Sequence, residues 1–115
     1  MSQQTSLSLA EEQAFQLSQA AILLDQTRTE RDKNLGPFVA ALKGNLDIWV
    51  ALCTIISYED CTMTEDVKRN LRRLAQFVAD KTLAGLETIT NETIDSFISI
   101  NLQISEGLLE GGKAR

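Results

Sequence analysis

Residues 37–57, PFVAALKGNLDIWVALCTIIS, constrain this chain more than any other stretch, because only Lys43 and Asp47 are charged between Pro37 and Ser57. Phe38, Leu42, Asn45, Trp49, Leu52 and Ile56 recur at steps of three and four, so they share one face of a helix. Leu46, Ile48, Val50, Cys53 and Ile55 widen that face past half the circumference. A helix so apolar must be covered on more than one side, by its own chain or by a partner. Gly36-Pro37 precedes it, and proline, with its fixed φ and missing N–H, suits the first helical position. The segment also carries the only tryptophan.

At 115 residues the chain is one domain long, and 43% apolar residues suffice for a modest core. No apolar run approaches the ~18 residues that cross a bilayer, so no membrane insertion is expected. The N-terminus, MSQQTSLSLAEEQ, has neither a basic start nor an apolar core, so a cytoplasmic location is expected. A net charge of −5 argues against direct nucleic-acid binding. There is no histidine, which removes the side chain that titrates nearest neutrality and the commonest metal ligand. Cys53 and Cys61 match no CxxC pattern; they read as reduced structural thiols, and a redox pair would need them to meet across a helix end. No enzyme activity, cofactor or metal is expected.

Ser8 and Glu11 have capping-box spacing, which starts a first helix at about residue 9 and carries it to about residue 29. Its apolar residues form two stripes, Ala10, Leu17, Ala21 and Leu24 on one and Phe15 and Ile22 on the other, with Gln13, Gln16 and Gln19 between. That division makes it less committed to one core than its neighbours. After the apolar second helix, the short YEDCTM connection sets neighbours antiparallel. Thr64 caps a third helix over 65–83, in which Val67, Leu71, Leu74, Phe77 and Val78 form the buried stripe. Lys68, Arg69, Arg72 and Arg73 lie across the opposite arc. Gly85 stops that helix, and Thr90 or Asn91 caps a fourth that runs to about residue 109. Ile94, Phe97, Ile98, Asn101, Ile104, Ser105 and Leu108 fall on one side of it, with Ile100 and Leu102 on the flanks. The expected fold is all-α, a compact bundle of about four helices with mostly antiparallel neighbours. A single domain over 8–110 would lie between flexible tails at 1–7 and 111–115.

Several side chains admit two readings. Trp49 is a core anchor or the hot spot of a partner groove. Phe15 and Phe38, near helix margins, are the better surface candidates. Asn45, Asn70 and Asn101 each fall on the apolar face of a helix, where asparagine is costly to bury without partners. Either each bonds a nearby backbone group, or at least two meet between helices and fix the register. The Lys68, Arg69, Arg72 and Arg73 run is a solvated face, an acidic-partner site or an RNA-phosphate patch, the last without the aromatics that stack on single strands.

Three blocks, NLDIW at 45–49, VKRNLRRLAQFV at 67–78 and INLQISEGL at 100–108, resemble the flagellar biosynthesis regulator FlaF family in content, spacing and overall length. The similarity runs from about residue 12 to residue 112. It implies a small helical cytoplasmic protein that supports flagellin synthesis and export. Family members are understood to bind flagellin as a secretion chaperone and to act with a companion, FlbT, which restrains translation of flagellin messenger RNA. Periodicity adds something compatible: the second and fourth helices carry more apolar surface than a minimal bundle hides. A terminal helical segment of flagellin could lie in such a groove. Phe15, Phe38, Trp49, Ile100, Leu102 and Glu106 are the partner-binding candidates. Glu106, in the family-like ISEGL block, either meets a partner or pairs with a basic residue of the third helix. The rival expectations are a translational regulator acting on the messenger RNA through the basic face, and a helical adaptor that dimerises through the fourth helix. Oligomeric state is left open.

Overall fold

The computed structural model describes residues 9–113, and the expected Ser8 cap and most of both tails lie outside them. Four helices follow in order: α1 (Leu9–Arg28), α2 (Leu35–Ile56), α3 (Glu65–Leu83) and α4 (Asn91–Lys113), with a 3-10 turn at Leu86–Thr88 between the last two. No strand occurs among the described residues.

The helix boundaries follow from local chemistry. Asn34 precedes α2, so Pro37 sits at the third helical position rather than the first. Its missing N–H costs nothing there, because the first four helical amides have no intrahelical acceptor. Thr64 Oγ1 accepts the Val67 amide at 3.2 Å, and Thr90 Oγ1 accepts the Thr93 amide at the same distance. Gly85 has φ +124°, a conformation open to glycine, and it turns the chain out of α3. Helix α4 continues through Gly111 and Gly112 to Lys113, four residues past the expected end.

Helix α1 packs most extensively, against α4 and then α2; α3 lies mainly on α2 and touches α4 lightly. This corrects the expectation of a weakly committed first helix. Leu17, Ala21 and Leu24 of its first stripe are buried, with Gln13, Ala14 and Ala20 added, while Ala10 is half-buried. The small side chains on that face let α4 approach closely. The core gathers Leu17 and Leu24 from α1, Phe38, Leu42, Trp49, Leu52 and Ile56 from α2, Leu71 and Val78 from α3, and Ile94 and Phe97 from α4. Phe77 joins α3 to α4 by an edge-to-face contact with Phe97, centroids 5.9 Å apart. Val67, expected in the buried stripe of α3, is exposed in the first turn of that helix.

A second correction concerns α2. With 22 residues it is long and apolar enough to cross a bilayer by length and composition, unlike the expectation from the sequence. It is also the helix from which Trp49 and Asn45 reach α4, with Lys43 and Asp47 paired on its exposed side.

Candidate partner-binding surface

The polar residues inside the bundle set its register. Asn101 on α4 is fully buried and fully bonded. Its Nδ2 donates to Asn45 Oδ1 on α2 at 2.7 Å and to the Leu17 carbonyl on α1 at 3.1 Å, and its Oδ1 accepts from Trp49 Nε1 at 2.9 Å. One amide therefore ties three helices together. Asn45 is also buried, but its Nδ2 finds no partner. Asn70 takes no part: it is exposed, having turned off the apolar face of α3. A turn further along, Ser105 Oγ lies 2.8 Å from the Ala14 carbonyl and 3.0 Å from Ser18 Oγ, which is itself 2.8 Å from that carbonyl. The two hydroxyl protons fill two of these three contacts at a time, a compact polar clasp between α1 and α4.

One end of the bundle is closed. Arg28 pairs with Asp25 and Asp95 and reaches the Asn91 carbonyl, while Arg31 lies over the Phe38 ring and donates to the Ile89 carbonyl. The opposite end is open. A cleft of about 240 Å³ lies there, walled by Leu9, Leu52, Ile55, Tyr58, Met63 and Leu108. Gln13, only 8% exposed, also lines it and has an unpartnered Oε1.

These contacts sort the candidate residues. Trp49 and Phe38 are both fully buried and belong to the core. For Phe38 this corrects the surface reading, since α2 begins two residues before Pro37 and the ring turns inward beneath Arg31. Ile100 is half-buried against the core. Phe15 and Leu102 are exposed, at 57% and 47%. Glu106 is exposed and forms no ion pair with α3 among the described residues, because those two helices touch only lightly. The basic run is less open than expected. The Lys68 side chain is only 12% exposed and lies near Glu65, and Arg69 pairs with Asp66; Arg72 and Arg73 face solvent. Cys53 and Cys61 are both free and half-buried, with no disulfide between them. Burial pushes the Cys53 thiol pKa up, opposed by the positive charge of Arg72.

The seam between α1 and α4 adds Ile22 and Leu109 to the expected partner-binding residues Phe15 and Leu102. Ser18 meets Ser105 and Arg28 meets Asp95, so ten residues forward on α1 correspond to ten back on α4. Together with the Ser105–Ala14 and Asn101–Leu17 contacts, this antiparallel register sets Ile22 near Leu102 and Phe15 near Leu109, to within about one helical turn. Phe15, Ser18 and Ile22 are spaced i, i+3, i+7, as are Leu102, Ser105 and Leu109, which places each triplet on one side of its helix. The serines turn into the seam and the four apolar side chains stand at its outer edge. Ile22 is 48% and Leu109 38% exposed. The matching triplets were the available signal, visible once α1 and α4 are known to be partners. The expected apolar surplus is thus displaced: α2 exposes only Leu35, Val39 and Val50 as large apolar residues, whereas α1 exposes Leu9, Phe15, Ile22 and Leu23.

The model of one family, flagellar protein FlaF, matches residues 1–108. No curated protein and no solved structure matches the chain. All three sequence blocks lie within the matched span, on α2, α3 and α4, and two of them supply the Asn45, Trp49 and Asn101 that join at the buried junction. The family is one of flagellar regulatory proteins rather than enzymes. With a match across nearly its whole length, this chain belongs to the flagellar protein FlaF family.

Proposed function

We propose that this protein binds flagellin in the cytoplasm as a secretion chaperone and so promotes its synthesis and export, without catalysis or cofactor. Family membership supports the flagellar setting. The observation that carries the reading is the exposure of Phe15, Ile22, Leu102 and Leu109, which the α1–α4 pairing and the helical spacing place along the outer edge of one seam. Apolar side chains grouped in this way, rather than scattered, mark sites where another chain docks. Flagellin's terminal segments are helical once assembled and must be kept from polymerising early, and an amphipathic helix laid along two others is a recurring mode of recognition. FlbT would join as the companion that acts on the messenger RNA. A direct RNA role for α3 is less well supported, since Lys68 and Arg69, two of the four side chains in its basic run, are engaged with Glu65 and Asp66. Dimerisation through α4 has little surface to use, because α1 covers most of its apolar arc.

The test is co-purification with the cognate flagellin, full-length and with each terminal helical segment removed, at low and moderate salt. Retention of full-length flagellin at both salts, lost with one truncation, is the expected result. Apolar docking tolerates salt, whereas phosphate contacts weaken steeply with it. Failure of full-length flagellin to bind at either salt overturns the reading.

A further inference from the structure

The charges around the seam say what kind of helix it accepts. Helix α1 has no lysine or arginine before Arg28, and α4 has none before Lys113. Asp25 and Asp95 share the single positive charge of Arg28, and exposed Glu11, Glu12, Glu106 and Glu110 are further acidic neighbours of the strip. Glu106 falls between Leu102 and Leu109 at i+4 and i−3, so it shares their side of α4, and Glu12 is one turn before Phe15 on α1. Most other basic residues lie away from the seam: Lys68, Arg69, Arg72, Arg73 and Lys81 on α3, Lys43 on α2, and Arg31 and Lys33 in the α1–α2 connection. An apolar strip with an acidic border repels a second copy of itself, because docking face to face would set glutamates against glutamates.

We propose that the outer α1–α4 seam is the docking surface for an amphipathic helix of another protein whose apolar stripe is bordered by lysine and arginine. The inference rests on the chaperone reading for its biological setting but specifies a surface and a chemistry that the reading leaves open. Each apolar row on this protein repeats at seven residues, so the guest presents its apolar side chains at heptad spacing and lies lengthwise along the seam. Its basic flanks approach Glu12, Glu106 and Glu110, which favours encounter and fixes orientation, while the apolar contacts hold it.

Two designed helical peptides with the same heptad leucine face, one flanked by lysines and one by glutamates, provide the test. The lysine peptide is expected to bind at least about tenfold more tightly at low salt, with amide shifts confined to α1 and α4. Phe15→Gln with Leu102→Gln, both at exposed positions, should abolish binding with helical content unchanged. Val50→Gln, exposed on α2, should not affect it. Glu106→Lys should narrow or reverse the preference between the peptides. Equal binding of the two peptides, shifts that map to α3 or to the open-end cleft, or indifference to Glu106→Lys each overturn the proposal. The two readings fail separately. Flagellin that binds regardless of the seam variants removes this surface and leaves the chaperone, whereas a seam that binds the lysine peptide while flagellin never co-purifies does the reverse.

Discussion

Replacing Asn101 by leucine is expected to cost far more stability than the same change at Asn45, although both are buried asparagines bonded to each other. Asn101 satisfies three groups: Trp49 Nε1, Asn45 Oδ1 and the Leu17 carbonyl. The last already accepts within the α1 ladder and loses little. Leucine at 101 leaves the indole N–H and the whole Asn45 amide buried without partners. At about 1–3 kcal/mol for each orphaned group, partly offset by the added apolar burial, the net loss is about 2–4 kcal/mol. Leucine at 45 orphans one N–H of Asn101, but it also removes the Asn45 Nδ2 that has no partner now. Those effects nearly cancel, and the change falls within about 1 kcal/mol of neutral.

The double variant sharpens the comparison. With leucine at both positions only the Trp49 N–H is orphaned, so the pair should be more stable than Asn101→Leu alone. Guanidinium unfolding followed by far-UV circular dichroism and by Trp49 fluorescence measures all three, and coincident transitions license the comparison. Asn45→Leu should keep the helical content and leave the bundle less uniquely packed, seen as broadened amide resonances. Equal losses at the two sites, or a double variant that simply adds the two singles, would refute the account of Asn101 as the junction of three helices.

Four further outcomes follow from local features. Thr64→Ala should cost about 0.5–2 kcal/mol by removing the cap on the Val67 amide, and Thr64→Ser should recover most of it in the same unfolding assay. Gly85→Ala should destabilise by more than about 1 kcal/mol, because a side chain is strained at φ +124° and its Cβ would meet the Glu87 carboxylate at 3.0 Å. Trp49→Ala should cost about 3–5 kcal/mol, the ordinary loss for a fully buried tryptophan, measured by far-UV unfolding since the fluorophore is removed. The Cys53 pKa is raised on folding, so its contribution is complete below the unfolded thiol pKa and is lost as pH rises through the folded one. Wild-type stability should therefore fall more steeply than that of Cys53→Ala in alkaline solution, and a parallel pH dependence of the two would remove Cys53 as the cause.

How much of this was legible in the sequence depended on whether one helix carried the information alone. Helix periodicity, the Thr64 and Thr90 caps and the Gly85 stop are all local, and each appears where the residues indicate. The Asn45–Asn101 bond was open as one of two readings, since spacing puts each residue on an apolar face but cannot say which faces meet; Asn70 satisfied the same rule and ended in solvent. Lys68 is the converse case, a charged residue whose stem lies along apolar surface while its amine stays near Glu65. Helix α1 was misjudged for a related reason. Its weak amphipathic contrast reads as indecision, but alanines at 14, 20 and 21 bury little area each while permitting close approach, and α1 becomes the principal partner of α4. Once α1 is committed in that way, its second stripe has no core left to join. Phe15 and Ile22 are held outward, beside Leu109 and Leu102, by the same serine clasp that draws the two backbones together. The docking strip is therefore a product of pairing: neither helix carries enough apolar surface at its edge to hold a guest, and the register between them, set by Ser18, Ser105, Arg28 and Asp95, assembles one.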